Sequence, residues 1–277
     1  MLAYINGQYI PADRPALAVN DRSFMYGDGL FETIRITNGQ PFLWREHLER
    51  LQCGAEFLKI PIPLSFDEIQ EATRHLLAQN DTPEGVVRIH LSRGVSERGY
   101  GVPATTQPVF VITTHKTLHA PAQPLKIITS SVRVLADDPL TQHKTANRLP
   151  NILARMQADA AGADEALILN NQDQIAEAAA ANIFILRGRE LITPPLASGA
   201  LAGTTRAYLL KIAAQFGFVP AEAPVTVAEV LSADGVYLTS AHWLITPAVA
   251  LDGAALKSSL SAVKALREQC ERTALGL

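Results

Sequence analysis

Three polar groups in the second half of the chain have residue types and an order that could support chemistry on a small molecule. Lys144 lies in the polar stretch TQHKTAN, just before a helix-forming segment. Glu177 interrupts a run of apolar and small residues that precedes NIFIL. Gly203, Thr204 and Thr205 open another helical segment, and a helix N-terminus presents unpaired N–H groups to a phosphate. The chain thus offers an amine, an isolated carboxylate and an anion-binding helix end.

These three groups match what pyridoxal phosphate requires of a protein. That cofactor needs a lysine for its Schiff base, an acid that keeps its pyridine nitrogen protonated, and donors for its phosphate. Each residue also has an ordinary explanation. Lys144 fits a solvated charge beside a helix, Glu177 an exposed strand-end residue, and Gly-Thr-Thr simple helix capping. Spacing alone favours the ordinary explanations.

The composition is that of a soluble globular protein. The chain has 277 residues, 48% of them hydrophobic and 18% charged, with a net charge of -3. It carries no basic run typical of nucleic-acid binding, no apolar run long enough to span a bilayer, and no signal-peptide pattern, so we expect a cytoplasmic protein. Cys53 and Cys270 lie outside disulfide and metal-ligand spacings, which predicts two buried small side chains and no metal site.

The spacing of apolar residues predicts alternating strands and helices. In the first half these are two Asn-Gly hairpins in AYINGQYI and FETIRITNGQPFL, a helix from Trp44, a Ser-capped helix over about 65–79, and strands VVRIHLS and VFVITT. In the second half they are strand LKIITSSVRVL, a helix over 149–161, strands EALIL and NIFIL, a helix over 204–216, strand GVYLTS and a closing helix over 260–275. Two prolines mark a linker. We predict an N-terminal domain over 1–115, a linker over 116–124, a C-terminal domain over 125–277, and a small-molecule cleft between the lobes.

Several blocks together resemble the class IV aminotransferase family of pyridoxal phosphate enzymes, also called fold type IV. They are DRSFMYGDGLFETIRITNG, REHLERL, SRGVSERGYG, KTANRLPNILAR, DEALIL, AEAAAANIF, LAGTTR and YLTSAHWLITP. No block is decisive alone, but their order and spacing up to about Thr246 are highly specific. The resemblance implies an α/β (α+β) two-domain fold similar to D-amino-acid aminotransferase, with a small α/β domain and a larger pseudo-barrel domain.

The resemblance also assigns roles to matching positions. Lys144 is expected to form the Schiff base with pyridoxal 5'-phosphate, Glu177 to meet the pyridine nitrogen, Arg50 to clamp the phosphate, and Thr204 and Thr205 to donate to it. By family analogy we also expect a homodimer acting on a small molecule. The charge and composition predict no nucleic-acid or membrane partner.

Two departures weaken a literal copy of the transaminase site. Many aminotransferases of the family have serines where this chain has Ala179, Ala180 and Ala181, and a further hydroxyl where it has Ala241. The chain therefore lacks several donors that a transaminase would use.

Of three members of the family, the chain resembles the aminodeoxychorismate lyases better than the branched-chain aminotransferases or the D-amino-acid transaminases. Branched-chain aminotransferases carry small residues and a Tyr after the lysine, where this chain has TANRL. D-amino-acid transaminases place a Tyr at the position of Phe31 and an Arg-x-His trap where this chain has Arg98, Gly99 and Tyr100. The lyases share YGDG with a following Phe, RGY, Lys-x-x-Asn-Arg-Leu and Ala-Ala-Asn-x-Phe. We expect conversion of 4-amino-4-deoxychorismate to 4-aminobenzoate and pyruvate in folate biosynthesis, with a transaminase of the same family as the alternative.

Such a substrate has two carboxylates, which predicts cationic partners. Arg98 is the first candidate and Arg148 the second, although helix packing or an ion pair also explains Arg148. Tyr26, Phe31 and Tyr100 are expected to line the pocket, and the tyrosines are equally explained as amphipathic wall residues.

Asn147, His47 and His143 lie in or beside the same sequence blocks as the predicted site residues. Asn147 either orients Lys144 or serves a turn, and we expect structural roles for His47 and His143. A binding protein that kept the fold without the chemistry is disfavoured because both Lys144 and Glu177 are present.

Overall fold

The computed structural model describes residues 1–14, 17–116 and 124–276, and the chain divides into two compact units. The first comprises Met1–Leu118, His143–Asn147 and Thr273–Leu277, and the second His119–Gln142 and Arg148–Arg272. Residues 117–123 of the predicted linker lie outside the described ranges. The sequence placed all of 125–277 in one domain. The segment His143–Asn147 belongs instead to the first unit, because its backbone pairs with a strand there.

The first unit contains an antiparallel sheet of six strands in the order β2-β1-β6-β5-β3-β4. Its elements are β1 (Leu2–Ile5), β2 (Gln8–Pro11), α1 (Arg22–Tyr26), β3 (Gly29–Thr37), β4 (Gln40–Pro41), α2 (Trp44–Leu58), α3 (Phe66–Gln79), β5 (Gly85–Ser92) and β6 (Val109–His115). Both Asn-Gly hairpins are confirmed: Asn6 and Asn38 have positive φ values of 43° and 51°, as tight hairpin turns require.

Helices α2 and α3 bury their apolar stripes in the same core as the sheet. Leu51 of α2 and Ile69 of α3 share a buried cluster with Ile34 of β3. The predicted cap of α3 is confirmed, since Ser65 and Glu68 form a reciprocal capping box. The prediction for Cys53 is wrong: its position on α2 faces outward, and the thiol is exposed.

The second unit contains a nine-stranded mixed sheet in the order β12-β11-β10-β13-β14-β7-β8-β9, with β15 paired to β14. The remaining elements of the chain are β7 (Leu125–Val134), α4 (Leu149–Ala160), β8 (Glu165–Asn170), β9 (Ile175–Ala178), β10 (Asn182–Arg187), β11 (Glu190–Thr193), α5 (Thr204–Ile212), β12 (Val219–Glu222), α6 (Val227–Ser232), β13 (Gly235–Ser240), β14 (Leu244–Leu251), β15 (Ala254–Ala255) and α7 (Lys264–Ala274). Ile175 of the terminal strand β9 shares one buried cluster with Ile183 of β10 and Leu238 of β13. The sheet therefore curls around its own core, as a pseudo-barrel requires.

Two predicted helices differ from the structure at one end. The helix predicted over 204–216 is α-helical only to Ile212 and continues as a 3-10 turn over Ala213–Phe216. Gly217 closes that turn with a left-handed φ of 86°. The closing helix likewise begins with a 3-10 turn over Leu260–Val263. None of the described helices has both the length and the apolar character that a membrane crossing needs.

Candidate active site

Lys144 is held by main-chain pairing to β3 of the first unit. The Phe31 N–H donates to the Lys144 carbonyl at 2.9 Å, and the Ala146 N–H donates to the Gly29 carbonyl at 2.8 Å. The Lys144 amine lies 4.6 Å from the centre of the Phe31 ring. Two of the predicted site residues therefore meet, and the lysine is half-buried where a solvated helix-flanking charge would be exposed.

The same segment packs against the YGDG block. Gly27 has a left-handed φ of 70°, and a Cβ there would lie 3.1 Å from the Asn147 Cβ and 3.2 Å from its Cα. The positive φ and the lack of space for a side chain both favour glycine at position 27. The contact with Asn147 joins two of the sequence blocks on which the family resemblance rests.

Arg88 is a second cation on the Phe31 ring, and the sequence analysis did not single it out. Its guanidinium lies 4.0 Å from the centre of the Phe31 ring, and it donates to the Thr33 hydroxyl at 3.4 Å. Arg88 pairs with Thr33 across the sheet, so its side chain lies on the same face as those of Phe31 and Thr33. Within the described ranges no carboxylate forms a salt bridge with it. A single charge in the strand VVRIHLS was the available signal.

Arg50 is fixed by a buried ion pair. Its Nε and Nη2 donate to the two carboxylate oxygens of Glu32 at 2.8 and 2.6 Å, and His47 Nδ1 lies 2.6 Å from Glu32 Oε2. Burial alone would raise the pKa of Glu32, but Arg50 and His47 hold it well below its ordinary value. Burial also lowers the pKa of His47 despite the attraction of Glu32, with Arg50 and Lys144 acting in the same direction. The network therefore contains an ionised Glu32, a charged Arg50 and a neutral His47, for which these partners imply an Nδ1–H donor.

The predicted Arg98–Tyr100 segment is an exposed loop held by Arg22. One guanidinium nitrogen of Arg22 donates to the carbonyls of Gly99 and Gly101, both at 3.1 Å. The Gly99 N–H donates to the Tyr26 hydroxyl at 3.0 Å, and the Tyr26 and Tyr100 rings are 5.6 Å apart. The two tyrosines therefore meet. Tyr100 is 86% exposed, and Arg98 is exposed on the same loop.

Glu177 is buried in β9 of the second unit, so its explanation as an exposed strand-end residue is wrong. One carboxylate oxygen accepts the Leu201 N–H at 2.9 Å and lies 3.5 Å from the Asn182 side-chain nitrogen. That nitrogen also donates to the Leu201 carbonyl at 3.0 Å. A Cβ at Gly203 would overlap the Asn182 side-chain oxygen. These contacts connect Glu177 to the segment that enters α5.

Thr204 and Thr205 form the first turn of α5, and both are buried. Gly203 occupies the cap position without a side-chain cap hydrogen bond. In the part of the chain that the structure describes, the buried Thr205 hydroxyl has no hydrogen-bond partner. A buried hydroxyl without a partner at a helix N-terminus matches an anion-binding position better than simple capping.

The remaining predicted residues have plainer positions. Arg148 is half-buried at the cap of α4, where its main-chain carbonyl accepts the Ile152 N–H at 3.0 Å, and the role of its side chain stays a prediction. His143 stacks on Phe57 with 4.3 Å between ring centres, and burial lowers its pKa. The stacking of His143 on Phe57 agrees with the structural role expected for this histidine.

Comparisons with known proteins identify relatives over almost the whole chain. A putative branched-chain-amino-acid aminotransferase from Methanocaldococcus jannaschii is 33% identical over 91% of this chain and 88% of its own length. A D-alanine aminotransferase from Listeria monocytogenes is 28% identical over 91% of this chain and 88% of its own. The crystal structure of 4-amino-4-deoxychorismate lyase from Pseudomonas aeruginosa has a TM-score of 0.86 and 30% identity, covering 98% of each chain.

These similarities confirm the predicted fold type IV architecture. Branched-chain aminotransferase from Escherichia coli superimposes with a TM-score of 0.90 at 26% identity, covering all of this chain and 94% of that one. The family model described as amino-transferase class IV matches residues 29–251, which is most of the chain. The chain therefore belongs to the class IV aminotransferase family of pyridoxal phosphate enzymes.

Proposed function

We propose that this chain is an aminodeoxychorismate lyase, which releases 4-aminobenzoate and pyruvate from 4-amino-4-deoxychorismate for folate biosynthesis. The observation that carries the proposal is the packing of YGDG against KTAN, with Gly27 against Asn147 and Phe31 beside the Lys144 amine. These are two of the blocks in which the chain resembles the lyases most. The similarity to the Pseudomonas aeruginosa lyase adds support.

The residues of each unit fit pyridoxal phosphate. We assign Lys144 to the covalent bond with its aldehyde, Arg50 and Thr204 and Thr205 to its phosphate, and Glu177 to its pyridine nitrogen. The Thr205 hydroxyl, buried without a partner among the described residues, is the structural support for the phosphate assignment. When bound, the cofactor supplies a sink for the electron pair that remains when a proton leaves the carbon bearing the substrate amine.

Lys144 moves the protons of the proposed reaction. Its Nζ takes the ring proton from the carbon that bears the substrate amino group. The ring carbon–oxygen bond then breaks and enolpyruvate departs as the ring becomes aromatic. The protonated Nζ returns a proton to the departing enolpyruvate, which becomes pyruvate. The Phe31 ring and the two main-chain bonds to β3 hold Lys144 in place for both transfers.

Two arginines are the proposed partners of the two substrate carboxylates. Arg88 shares the Phe31 ring with the Lys144 amine and forms no salt bridge within the described ranges, so we add it to Arg98 as a carboxylate partner. A planar guanidinium suits this role because it binds a carboxylate through two parallel hydrogen bonds. We keep the predicted assignment of Tyr26, Phe31 and Tyr100 to the pocket wall. Arg148 stays a lower-ranked candidate for binding a substrate carboxylate.

A transaminase of the same family is the second candidate. The relative from Methanocaldococcus jannaschii, a putative branched-chain-amino-acid aminotransferase at 33% identity, favours it. The alanines at 179, 180, 181 and 241 weigh against it, because none can donate the hydrogen bond expected of a hydroxyl. Activity on D- or L-amino acids with 2-oxoglutarate distinguishes the two reactions.

A homodimer is the proposed assembly. Leu149, Ile152, Leu153 and Met156 of α4 are 59%, 53%, 44% and 59% exposed. Their spacing aligns them on one helix face, and an apolar patch of this kind is typical of an interface. This stripe and the family analogy support self-association. The cytoplasmic location stays a prediction.

The lyase proposal is tested on the purified chain loaded with pyridoxal phosphate. With 4-amino-4-deoxychorismate, 4-aminobenzoate fluorescence and pyruvate should rise together in equal amounts. Lys144→Ala should lose both products, whereas Lys264→Ala, which removes an exposed lysine of α7, should keep them. Amino transfer to 2-oxoglutarate without 4-aminobenzoate would assign the chain to the transaminases instead.

A further inference from the structure

A second buried carboxyl group lies next to the turn that follows Glu177. Glu165, the first residue of β8, has no solvent exposure. Its Oε1 accepts the N–H of Ala166 at 2.8 Å, and its Oε2 accepts the N–H of Ala180 at 3.2 Å. Glu165 therefore joins the start of β8 to the turn between β9 and β10.

That turn is fixed by main-chain bonds and by two polar side chains. The Ala178 N–H donates to the Ala181 carbonyl at 2.7 Å, and the Ala179 N–H donates to the Ala166 carbonyl at 2.9 Å. The Asn151 side chain of α4 donates to the Ala179 carbonyl at 2.9 Å. Because the alanines have no polar side chains, Glu165 and Asn151 supply the side-chain bonds that hold the turn.

The residues on either side of the turn carry the Glu177 contacts. Glu177 is the last residue but one of β9, and Asn182 is the first residue of β10 after the turn. The Asn182 side-chain nitrogen lies 3.5 Å from a carboxylate oxygen of Glu177. Glu177 pairs with Ile168 in the β8–β9 register and shares its face of the sheet. Glu165 lies two residues before Leu167 in β8 and shares the other face, so the two carboxyl groups face opposite sides of the sheet. We propose that Glu165 is a positioning residue, which sets the Glu177 carboxylate by holding the backbone of the turn. The inference rests on the cofactor role proposed above for Glu177.

The protonation of Glu165 supports this role. Burial raises the pKa of Glu165 to about 7, against the opposing effects of the Ala166 N–H, Arg155 of α4, and the N–H groups of Ala180 and Ala179. Arg155 is the charged group of α4 that acts on Glu165, and it also pairs with Asp159 at 2.8 Å. On β9 the charged group is Glu177, which lies on the other face of the sheet. An ionised carboxylate accepts N–H bonds more strongly than a neutral acid. The hold on the turn should therefore tighten as the pH rises through about 7.

The variant Glu165→Gln tests this positioning role. Glutamine keeps the size of the side chain, but its NH2 group cannot accept an N–H bond and its charge is zero at every pH. Asp234→Asn is the matched control, because Asp234 also accepts a turn N–H, that of Gly188 at 2.8 Å, but at the exposed β10–β11 turn. Two quantities are measured: hydrogen exchange of the peptide over 175–186, and the Kd for pyridoxal phosphate between pH 6 and pH 8.5.

We expect Glu165→Gln to speed exchange in that peptide by about tenfold, the effect of losing one hydrogen bond. At pH 8 the Kd of this variant for pyridoxal phosphate should be severalfold higher than that of the wild type. The wild-type Kd should change with pH near 7, and the variant should lack this change. Asp234→Asn should match the wild type in both measurements.

Unchanged exchange in Glu165→Gln overturns the proposal, and so does faster exchange with a wild-type Kd at every pH. If the glutamine variant does not fold, Glu165→Asp replaces it, with an intermediate Kd and a retained pH dependence as the expected result and a wild-type Kd as the contrary one. Neither measurement uses a reaction substrate. A wild type without lyase activity would overturn the proposed function and leave this inference standing.

Discussion

Replacing Glu32 by glutamine tests the buried network that holds Arg50. In the native protein the carboxylate is fully buried, accepts two bonds from Arg50 and one from His47, and balances the Arg50 charge. Glutamine preserves the shape and removes the charge. The Arg50 side chain, which is 10% exposed, then faces a neutral amide in place of the Glu32 carboxylate.

Removing one partner of a buried ion pair destabilises a protein by about 3–5 kcal/mol. Because Arg50 retains slight access to water, we expect the lower end, about 3 kcal/mol. For a chain of this size that corresponds to a fall in Tm of about 6–12 °C. Arg50 should also lose its orientation, so the affinity for pyridoxal phosphate should fall with the stability.

Urea unfolding monitored by Trp44 fluorescence in a Trp243→Phe background reports on the first unit. Glu49→Gln, which breaks the exposed pair of Glu49 with Arg45 on the same helix, is the control and should leave the midpoint unchanged. A loss below about 1 kcal/mol in Glu32→Gln would refute the assignment of a charge-balanced buried network.

The pH dependence of stability gives the same network a second signature. The pKa of Glu32 is lower in the folded state than its ordinary value of 4.5, so its stabilisation is complete above that pH and is lost as the pH falls further. The wild type should therefore lose stability between about pH 4.5 and pH 2, and Glu32→Gln should lose less over that window. If both proteins lose the same stability over this pH range, Glu32 is not the cause of the acid sensitivity.

Three other substitutions test separate parts of the structure. Lys144→Ala should lower the rate by at least about 10²–10⁴-fold with an unchanged circular dichroism spectrum, and a retained covalent cofactor absorbance would be the contrary result. Gly203→Ala should destabilise the protein by about 1–3 kcal/mol in urea and weaken cofactor binding, because the new methyl overlaps the Asn182 oxygen. An unchanged urea midpoint would show that the segment around Gly203 shifts to accommodate the methyl group without a loss of stability. Ile152→Glu should sediment as a monomer, and a persistent dimer would exclude the α4 stripe as the interface.

Local sequence signals were sufficient for much of the fold. The Asn-Gly turns at Asn6 and Asn38 and the Ser65 cap act through neighbouring residues, so their patterns predicted the observed elements. Strand β9 was missed because IAEA contains helix-favouring alanine and glutamate. There the hydrogen bonds to β8 override local propensity.

The candidate site depended on contacts distant in sequence. The bridge between Leu30 and Thr145 joins residues more than a hundred positions apart, and no local pattern specifies it. For the same reason Arg88 was missed: its importance depends on Phe31 in a neighbouring strand and on Lys144. The types of Lys144 and Glu177 suggested chemistry, but only the fold shows that Glu177 is buried and that Lys144 lies against Phe31.

Lys144 is proposed both to bind the cofactor covalently and to carry the proton transfers. The most direct test is borohydride reduction of the protein loaded with pyridoxal phosphate, followed by peptide mapping in a mass spectrometer. We predict a single pyridoxyl modification on the peptide that contains Lys144, with release of 4-aminobenzoate abolished in the reduced protein. A modification on another lysine, or lyase activity that survives reduction, would exclude Lys144 from these roles.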